Sequence, residues 1–287
     1  MKTAFKTIAL IGKYKNPETR DQLLTLAQFL TGHHLNVFME EDTALHSNIP
    51  DYRTLAIDKI GKNSDLAIVL GGDGTMLTAA RALIGDEIPL VGINRGHFGF
   101  LTDLSAEQML DGITNILAGK FDLEKRMLLF AKVLRDGQVV SQGYVLNDVV
   151  VSRGSMASLI ELEVSIDGHF VHKQRSDGLI VATPTGTTAY SLSAGGPILH
   201  PSLDAIALVP ICPHALSNRP IAINSASKIE ITLLRGEDTR VHLDGQLNVA
   251  FHEGDQVLVQ RADKTITLLH PLGHNHYDML RKKLHWG

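Results

Sequence analysis

The stretch DLAIVLGGDGTML, Asp65 to Leu77, constrains the fold more than any other part of the chain. An apolar run feeds Gly71-Gly72-Asp73-Gly74-Thr75, and a helix-like segment follows. A strand that is apolar on both faces belongs in a parallel sheet covered by helices. A turn at the carboxyl end of such a strand is where open α/β sheets hold ligands. Glycines let the backbone approach an anion, and the following helix offers unpaired N–H groups. The run lacks the Gly-Lys-Ser/Thr of a Walker A loop, and Leu77 stands where a dinucleotide fingerprint has its last glycine. Asp73 then has two readings. It is a helix N-cap, or a carboxylate set beside phosphates to take a proton or help hold a metal ion. Three close glycines are more than a cap requires.

The surrounding pattern extends this reading. KTIALIG (6–12), NVFMEE, DLAIVL and IPLVGIN read as strands. PETRDQLLTLAQFLTGHH (17–34), TMLTAARALIG and SAEQMLDGITNILAG (105–119) read as helices, the last with Ser105 as N-cap and Gly119 as stop. Alternation of this kind implies a parallel sheet. After Phe121 the pattern turns to strands, with Asp136-Gly137 and Asp167-Gly168 as hairpin signals. The expected organisation is an α/β nucleotide domain over 1–119 and a β-rich domain over 120–270. The helical tail 271–287 is expected to pack back on the first domain.

Composition excludes several classes. A formal net charge of −4 is the wrong sign for a nonspecific nucleic-acid binder. No apolar run approaches the ~20 residues of a membrane helix, so no membrane partner is expected. The single cysteine, Cys212, allows no internal disulfide, and a cytoplasmic protein is expected. His270, His274 and His276 lie close together but match no strong zinc spacing; they are expected to be surface histidines.

A second signal lies in RSDGLIVATPTGTTAYSLSAGGP (175–197). LIVA is a strand, Pro184-Thr185-Gly186 turns, and TTAYSLSA reads as about two helical turns ending at Gly195. Thr188, Ala189, Tyr190 and Ser193 then line one end and face of that helix. Small hydroxyls and helix N–H groups suit a ligand rich in phosphate and sugar oxygens, although a Ser/Thr-rich loop capping its own backbone has the same composition. Asn147-Asp148 offers an amide for a base edge and a carboxylate for a ribose diol, or an ordinary turn. Asp177-Gly178 and Asp244-Gly245 also read as turns. Asp177, between Arg175 and the hydroxyl-rich loop, is the better functional candidate.

Taken together, GGDGT (71–75), GINRGHFGFLTDL (92–104), LND (146–148), QRSDGLIVATPTGTTAYSLSAGGPI (174–198) and HLDGQ (242–246) resemble the bacterial NAD kinase family, over about residues 5 to 270. The resemblance implies a β-sandwich as the second domain and transfer of the ATP γ-phosphoryl to the 2′-hydroxyl of the adenosine ribose of NAD, giving NADP. Asp73 would accept the proton, beside Gly74. Gly71, Gly72, Gly74 and Thr75 would form the phosphate loop. Asn147 and Asp148 would bind adenine and ribose oxygens. Asp177, Ala189 and Tyr190 would hold the nicotinamide half, with Thr188 and Ser193 bonding nearby. Phe100 would pack on an aromatic ring, and Gln246 matches a contact position. Ser158 stands at a further contact position, and Arg175 is expected to tilt the choice toward NAD over NADH. A divalent ion, Mg²⁺, would bridge the phosphates with few protein ligands. Family members are homodimers or homotetramers.

Two rivals share part of this pattern. A lipid kinase of the diacylglycerol type has the glycine motif, but the hydroxyl loop and the LND pair suit a dinucleotide better. A sensor that binds NAD without turnover gains little from a carboxylate beside phosphates.

Overall fold

A computed structural model describes residues 5–12, 17–96, 99–154 and 158–286; His97 and Phe98 of the GHFGF stretch and residues 155–157 of SMAS lie outside it. The chain divides into two compact units, Met1–Lys125 with Thr265–Gly287, and Arg126–Lys264.

The first unit is built on a parallel sheet. Its strands run in the order Arg53–Leu55, Asn36–Glu40, Thr7–Gly12, Leu66–Leu70, Leu90–Asn94. The end of the long strand Gln256–Pro271 joins in parallel through Leu268 opposite Leu90. Every residue of Leu66–Leu70 and of Leu90–Asn94 is buried, the apolar ones as a covered parallel strand requires and Asn94 with its amide hydrogen-bonded. Ile8, Leu10, Ile68, Leu70 and Ile93 pack with Leu23, Leu26 and Leu30 of helix Pro17–Gly32 and with Ile113 and Ile116 of helix Met109–Leu117. Each such side chain contributes roughly 1.5–3 kcal/mol on burial.

Several local expectations change. Ser105 does not cap a helix. It ends a short strand, Leu104–Ser105, and its Oγ accepts the Gln108 N–H at 3.3 Å, so it closes the turn before the helix. Residues 41–63, left without elements by the sequence, hold helices Glu41–Ser47 and Ile57–Asn63 around the strand Arg53–Leu55. The carboxylate of Glu40 accepts the N–H groups of Asp42 and Thr43, an unusual cap that composition hides. The C-terminal histidines are not a surface group. The last strand carries His270 into the first unit, where it is 2% exposed. The tail forms helix His276–Leu284 and buries Met279 and Leu280.

The second unit is a β-sandwich. One antiparallel sheet runs Ile221–Asn224, Ala205–Ile211, Gly178–Ala182, Asp148–Arg153, Thr239–Leu243, Leu247–Phe251. The other contains His169–Ser176, Ile160–Ile166, Ile229–Arg235 and Gln256–Pro271, with the hairpin Phe121–Arg135 and Gln138–Val145. Val149, Val151, Leu179 and Val241 of the first sheet share a core with Ile160, Leu162, Val164 and Ile231 of the second. Alternation along Ile160–Ile166 puts those three apolar residues inward. Asp136-Gly137 and Asp167-Gly168 both take positive φ, as primed hairpin turns need.

Candidate active site

The glycine turn sits at the carboxyl end of Leu66–Leu70 and opens helix Asp73–Ala82. Gly72 is the N-cap, without a side-chain bond, and Asp73 is the first helical residue. The capping reading of Asp73 therefore fails. Its carboxylate instead accepts the backbone N–H of Phe100 at 2.9 Å and of Leu101 at 3.0 Å. A Cβ at Gly72 or Gly74 would meet nothing within 4 Å, so the backbone face there is open to a ligand. Gly71 is close-packed instead: a Cβ would lie 2.5 Å from Thr75 Oγ1. Thr75 thus backs the turn.

The segment that grips Asp73 is itself anchored. Asn94 Nδ2 donates to Thr102 O at 3.1 Å, and its Oδ1 accepts the Gly96 N–H. Gly92 lies so near that a Cβ would come 2.4 Å from Leu101 O. Gly99 has no room at all: a Cβ would stand 2.0 Å from Asp73 Oδ1 and 2.3 Å from Thr102 Oγ1. Gly99→Ala must displace the carboxylate. A shift near 1 Å costs about 100-fold in rate when positioning matters. We expect kcat to fall by about that factor in steady-state assays. Unchanged kcat in a folded variant would mean that the position of Asp73 is not critical. Phe100 is half-buried, with Lys283 Nζ 5.9 Å from its ring centroid.

In the second unit, a cavity of about 370 Å³ is lined by Asn147, Asp148, Ala189 and Tyr190, with Val150, Ser152, His242, Asp244 and Gly245. The structure thus brings together four of the residues singled out in the sequence. Asp244 explains how. Gly245 and Asp244 form a turn with positive φ, and the Asp244 carboxylate turns back to accept the N–H groups of Leu146, Asn147 and Asp148 at 2.9, 2.7 and 3.2 Å. That role was not legible from Asp-Gly alone.

Ala189 breaks the expected two-turn helix. Thr185–Thr188 is a 3₁₀ turn, Tyr190–Ser193 is a separate α turn, and Ala189 between them has φ −101° and ψ −129°. Much of the hydroxyl content serves the backbone. Thr183 Oγ1 donates to Leu146 O at 2.5 Å and accepts the Gly186 N–H at 3.1 Å. Thr187 donates to Pro184 O and accepts the Leu199 N–H. Thr188 donates to Thr185 O at 3.1 Å. Tyr190 and Ser193 are exposed.

The remaining residues lie outside that cavity lining. Asp177 pairs bidentately with Arg153, at 2.8 and 3.3 Å, and not with Arg175. Finding that partner needed the register that sets Gly178 opposite Ser152. Asp177-Gly178 joins two strands, and a Cβ on Gly178 would lie 2.3 Å from Val151 O. Arg175 is exposed opposite Glu161. Ser158 and Gln246 are exposed, the latter in the turn after Gly245.

Two comparisons of sequence decide the family. Residues 8–121 match the ATP-NAD kinase N-terminal domain, and residues 146–270 match the ATP-NAD kinase C-terminal domain. The chain belongs to the NAD kinase family. It is 50% identical to the NAD kinase of Laribacter hongkongensis over 287 residues, covering 100% of this chain and 99% of that one. Identity to the NAD kinase of Nitrosomonas europaea is 52% over 283 residues, covering 99% and 96%. A yeast NADH kinase crystallised with NADH superposes with a TM-score of 0.86 at 27% identity, covering 98% of this chain and 87% of that one. As a member of the NAD kinase family, the chain is an enzyme that phosphorylates NAD. Among the described residues, no helix is long and apolar enough to cross a membrane.

In this NAD kinase family cavity, the electrostatics centre on Asp148. Burial and the negative charge of Asp244 push its carboxyl up to about 7. Burial and Arg240 push the His242 imidazole down. An unfolded Asp titrates near ~3.9. Between the two values the native chain keeps a proton that the unfolded chain has released. Stability therefore falls as pH rises from about 4 to about 7, by on the order of 4 kcal/mol for a rise from 3.8 to about 7. Asp148→Asn should remove this contribution. The Tm of the variant is expected to gain on wild type progressively from pH 4 to pH 8. A constant difference across that range would show that Asp148 is ionised throughout.

Proposed function

We propose that the enzyme transfers the γ-phosphoryl of ATP to the 2′-hydroxyl of the adenosine ribose of NAD, giving NADP, with Asp73 as proton acceptor. One observation carries this reading. Asp73 opens a helix after a glycine turn, yet its carboxylate caps nothing there and is aimed by two N–H groups of another segment. Oδ1 accepts the Leu101 N–H and, at 3.5 Å, the Thr102 hydroxyl, while Oδ2 accepts the Phe100 N–H and keeps a second lone pair for a hydroxyl. A ribose hydroxyl is a weak nucleophile near neutral pH, so a carboxylate within hydrogen-bond reach helps remove its proton. The open faces of Gly72 and Gly74 leave backbone room for phosphates.

Asn147 and Asp148 would recognise adenine and ribose oxygens from the cavity wall, with Ala189 and Tyr190 beside them. Asp177, held by Arg153 through both oxygens, would offer a remaining lone pair to a ribose hydroxyl. The yeast relative's NADH complex supports a nicotinamide dinucleotide as the acceptor. An NAD kinase from Archaeoglobus fulgidus, 23% identical and covering 98% of this chain with a TM-score of 0.78, supports the fold.

The residues fit a divalent ion such as Mg²⁺. The open backbone of Gly72 and Gly74 leaves room for an ion held mostly by phosphate oxygens and water, with few protein ligands. When bound, it would neutralise charge on the transferring phosphoryl group. A homodimer or homotetramer and a cytoplasmic location complete the proposal. Comparing NAD with a diacylglycerol tests the acceptor: NAD should raise the Tm of the purified protein and the lipid should not. A Tm rise with lipid alone would favour the lipid kinase reading.

A further inference from the structure

The first unit contains a cluster that the phosphoryl-transfer chemistry does not use. His270 Nδ1 and His274 Nδ1 both lie 2.9 Å from the same Oδ2 of Asp103. The three donor atoms are all within 4.8 Å of one another. The side chains are 2%, 14% and 7% exposed for His270, His274 and Asp103. The imidazoles stack, with centroids 4.0 Å apart and planes 17° from parallel, so both Nδ1 edges face one carboxylate. On its far side His270 Nε2 lies 3.0 Å from Glu124 Oε2.

Two carboxylates face one imidazole: Asp103 Oδ2 on its Nδ1 edge and Glu124 Oε2 on its Nε2 edge. A neutral imidazole carries one N–H. When Nε2–H donates to Glu124, the Nδ1 lone pair is left to a second proton or to a metal ion shared with Asp103 and His274. A metal-ligating histidine almost always donates its other ring N–H to a carboxylate, a carbonyl or water, as His270 can to Glu124. Two imidazole nitrogens and a carboxylate oxygen are the donor set of zinc or a similar transition ion, not of Mg²⁺.

We infer that Asp103, His270 and His274 bind a divalent transition-metal ion of the zinc type, with Glu124 orienting His270 and water as the remaining ligand. Binding would draw each donor to about 2.0–2.2 Å from the ion and turn the two stacked rings apart so that both Nδ1 atoms converge on it. The ion would tie the end of the last strand to the segment just after Phe100–Thr102, whose N–H groups grip Asp73. Its role is structural.

The test uses the full-length protein, freed of metal by EDTA and titrated with CoCl₂ alone. The expected result is one Co²⁺ per chain with the visible absorption of a nitrogen-ligated, low-coordinate ion, displaced by ZnCl₂ and not by MgCl₂. Glu124→Gln should weaken binding 10- to 100-fold. His274→Phe, which keeps the stacked ring, should weaken it by more than that. His274→Gln serves if the Phe variant does not fold. Folded wild-type protein that takes up no Co²⁺ would overturn the inference and leave a cluster held together by protons. Equal uptake by wild type and a folded His274 variant would also overturn it, placing the ion elsewhere among the 14 histidines.

Discussion

Asp73→Asn is expected to lower kcat more than ~100-fold while leaving NAD affinity little changed. The amide cannot take the hydroxyl proton. It also cannot accept both the Phe100 and Leu101 N–H groups, since its NH₂ must face one of them. One unsatisfied N–H costs about 1–3 kcal/mol, so a Tm loss of several degrees accompanies the rate loss. The two effects separate. Lost folding lowers the amount of active enzyme, whereas lost chemistry lowers turnover per bound NAD. Single-turnover rates at saturating NAD and ATP, corrected for the folded fraction, make that distinction. A corrected rate within tenfold of wild type would remove Asp73 as the proton acceptor.

Asp244→Ala is expected to damage both the fold and the cavity. The residue is 8% exposed, and its carboxylate accepts three consecutive backbone N–H groups. Hydrogen bonds to a charged group contribute about 1.5–3 kcal/mol each, and the N–H groups left behind are in a buried stretch. Relief of repulsion on Asp148 offsets part of the loss. We expect a net loss of about 3 kcal/mol, a Tm drop on the order of 10 °C, and a KM for NAD raised at least ~10-fold. Asp244→Asn keeps one acceptor oxygen and should fall between. Denaturant melts and initial rates check both. A KM at the wild-type value in a folded Asp244→Ala enzyme would show that the Leu146–Asp148 backbone does not shape the NAD site.

The parts of this account that were legible in the sequence are those with local causes. The run LAIVL is buried on both faces because nothing in it is polar, and it is a strand in the parallel sheet. Asp136-Gly137 and Asp167-Gly168 turn hairpins because both positions take positive φ. Asn147 and Asp148 share a cavity with Ala189 and Tyr190, distant in sequence, which only the resemblance suggested. What stayed hidden depends on partners distant in sequence. Asp244 lies 97 residues from Asn147. Arg153 reaches Asp177 through strand register, while Arg175, two residues away in sequence, is exposed opposite Glu161. Asp103 meets His270 across 167 residues, which puts His270 and His274, two of three apparent surface histidines, in one cluster with it. Ser105 is not the helix cap because the helix starts later, at Met109 with Gln108 as its N-cap, and Ser105 bonds the turn before it.

The central claim is tested most directly by mixing purified protein with NAD, ATP and Mg²⁺. NADP is then measured with an NADP-specific dehydrogenase, with Asp73→Asn in parallel. The account predicts NADP from wild type, with its new phosphate on the 2′-oxygen of the adenosine ribose, and almost none from the variant. Folded wild-type protein that binds NAD but forms no NADP would contradict it.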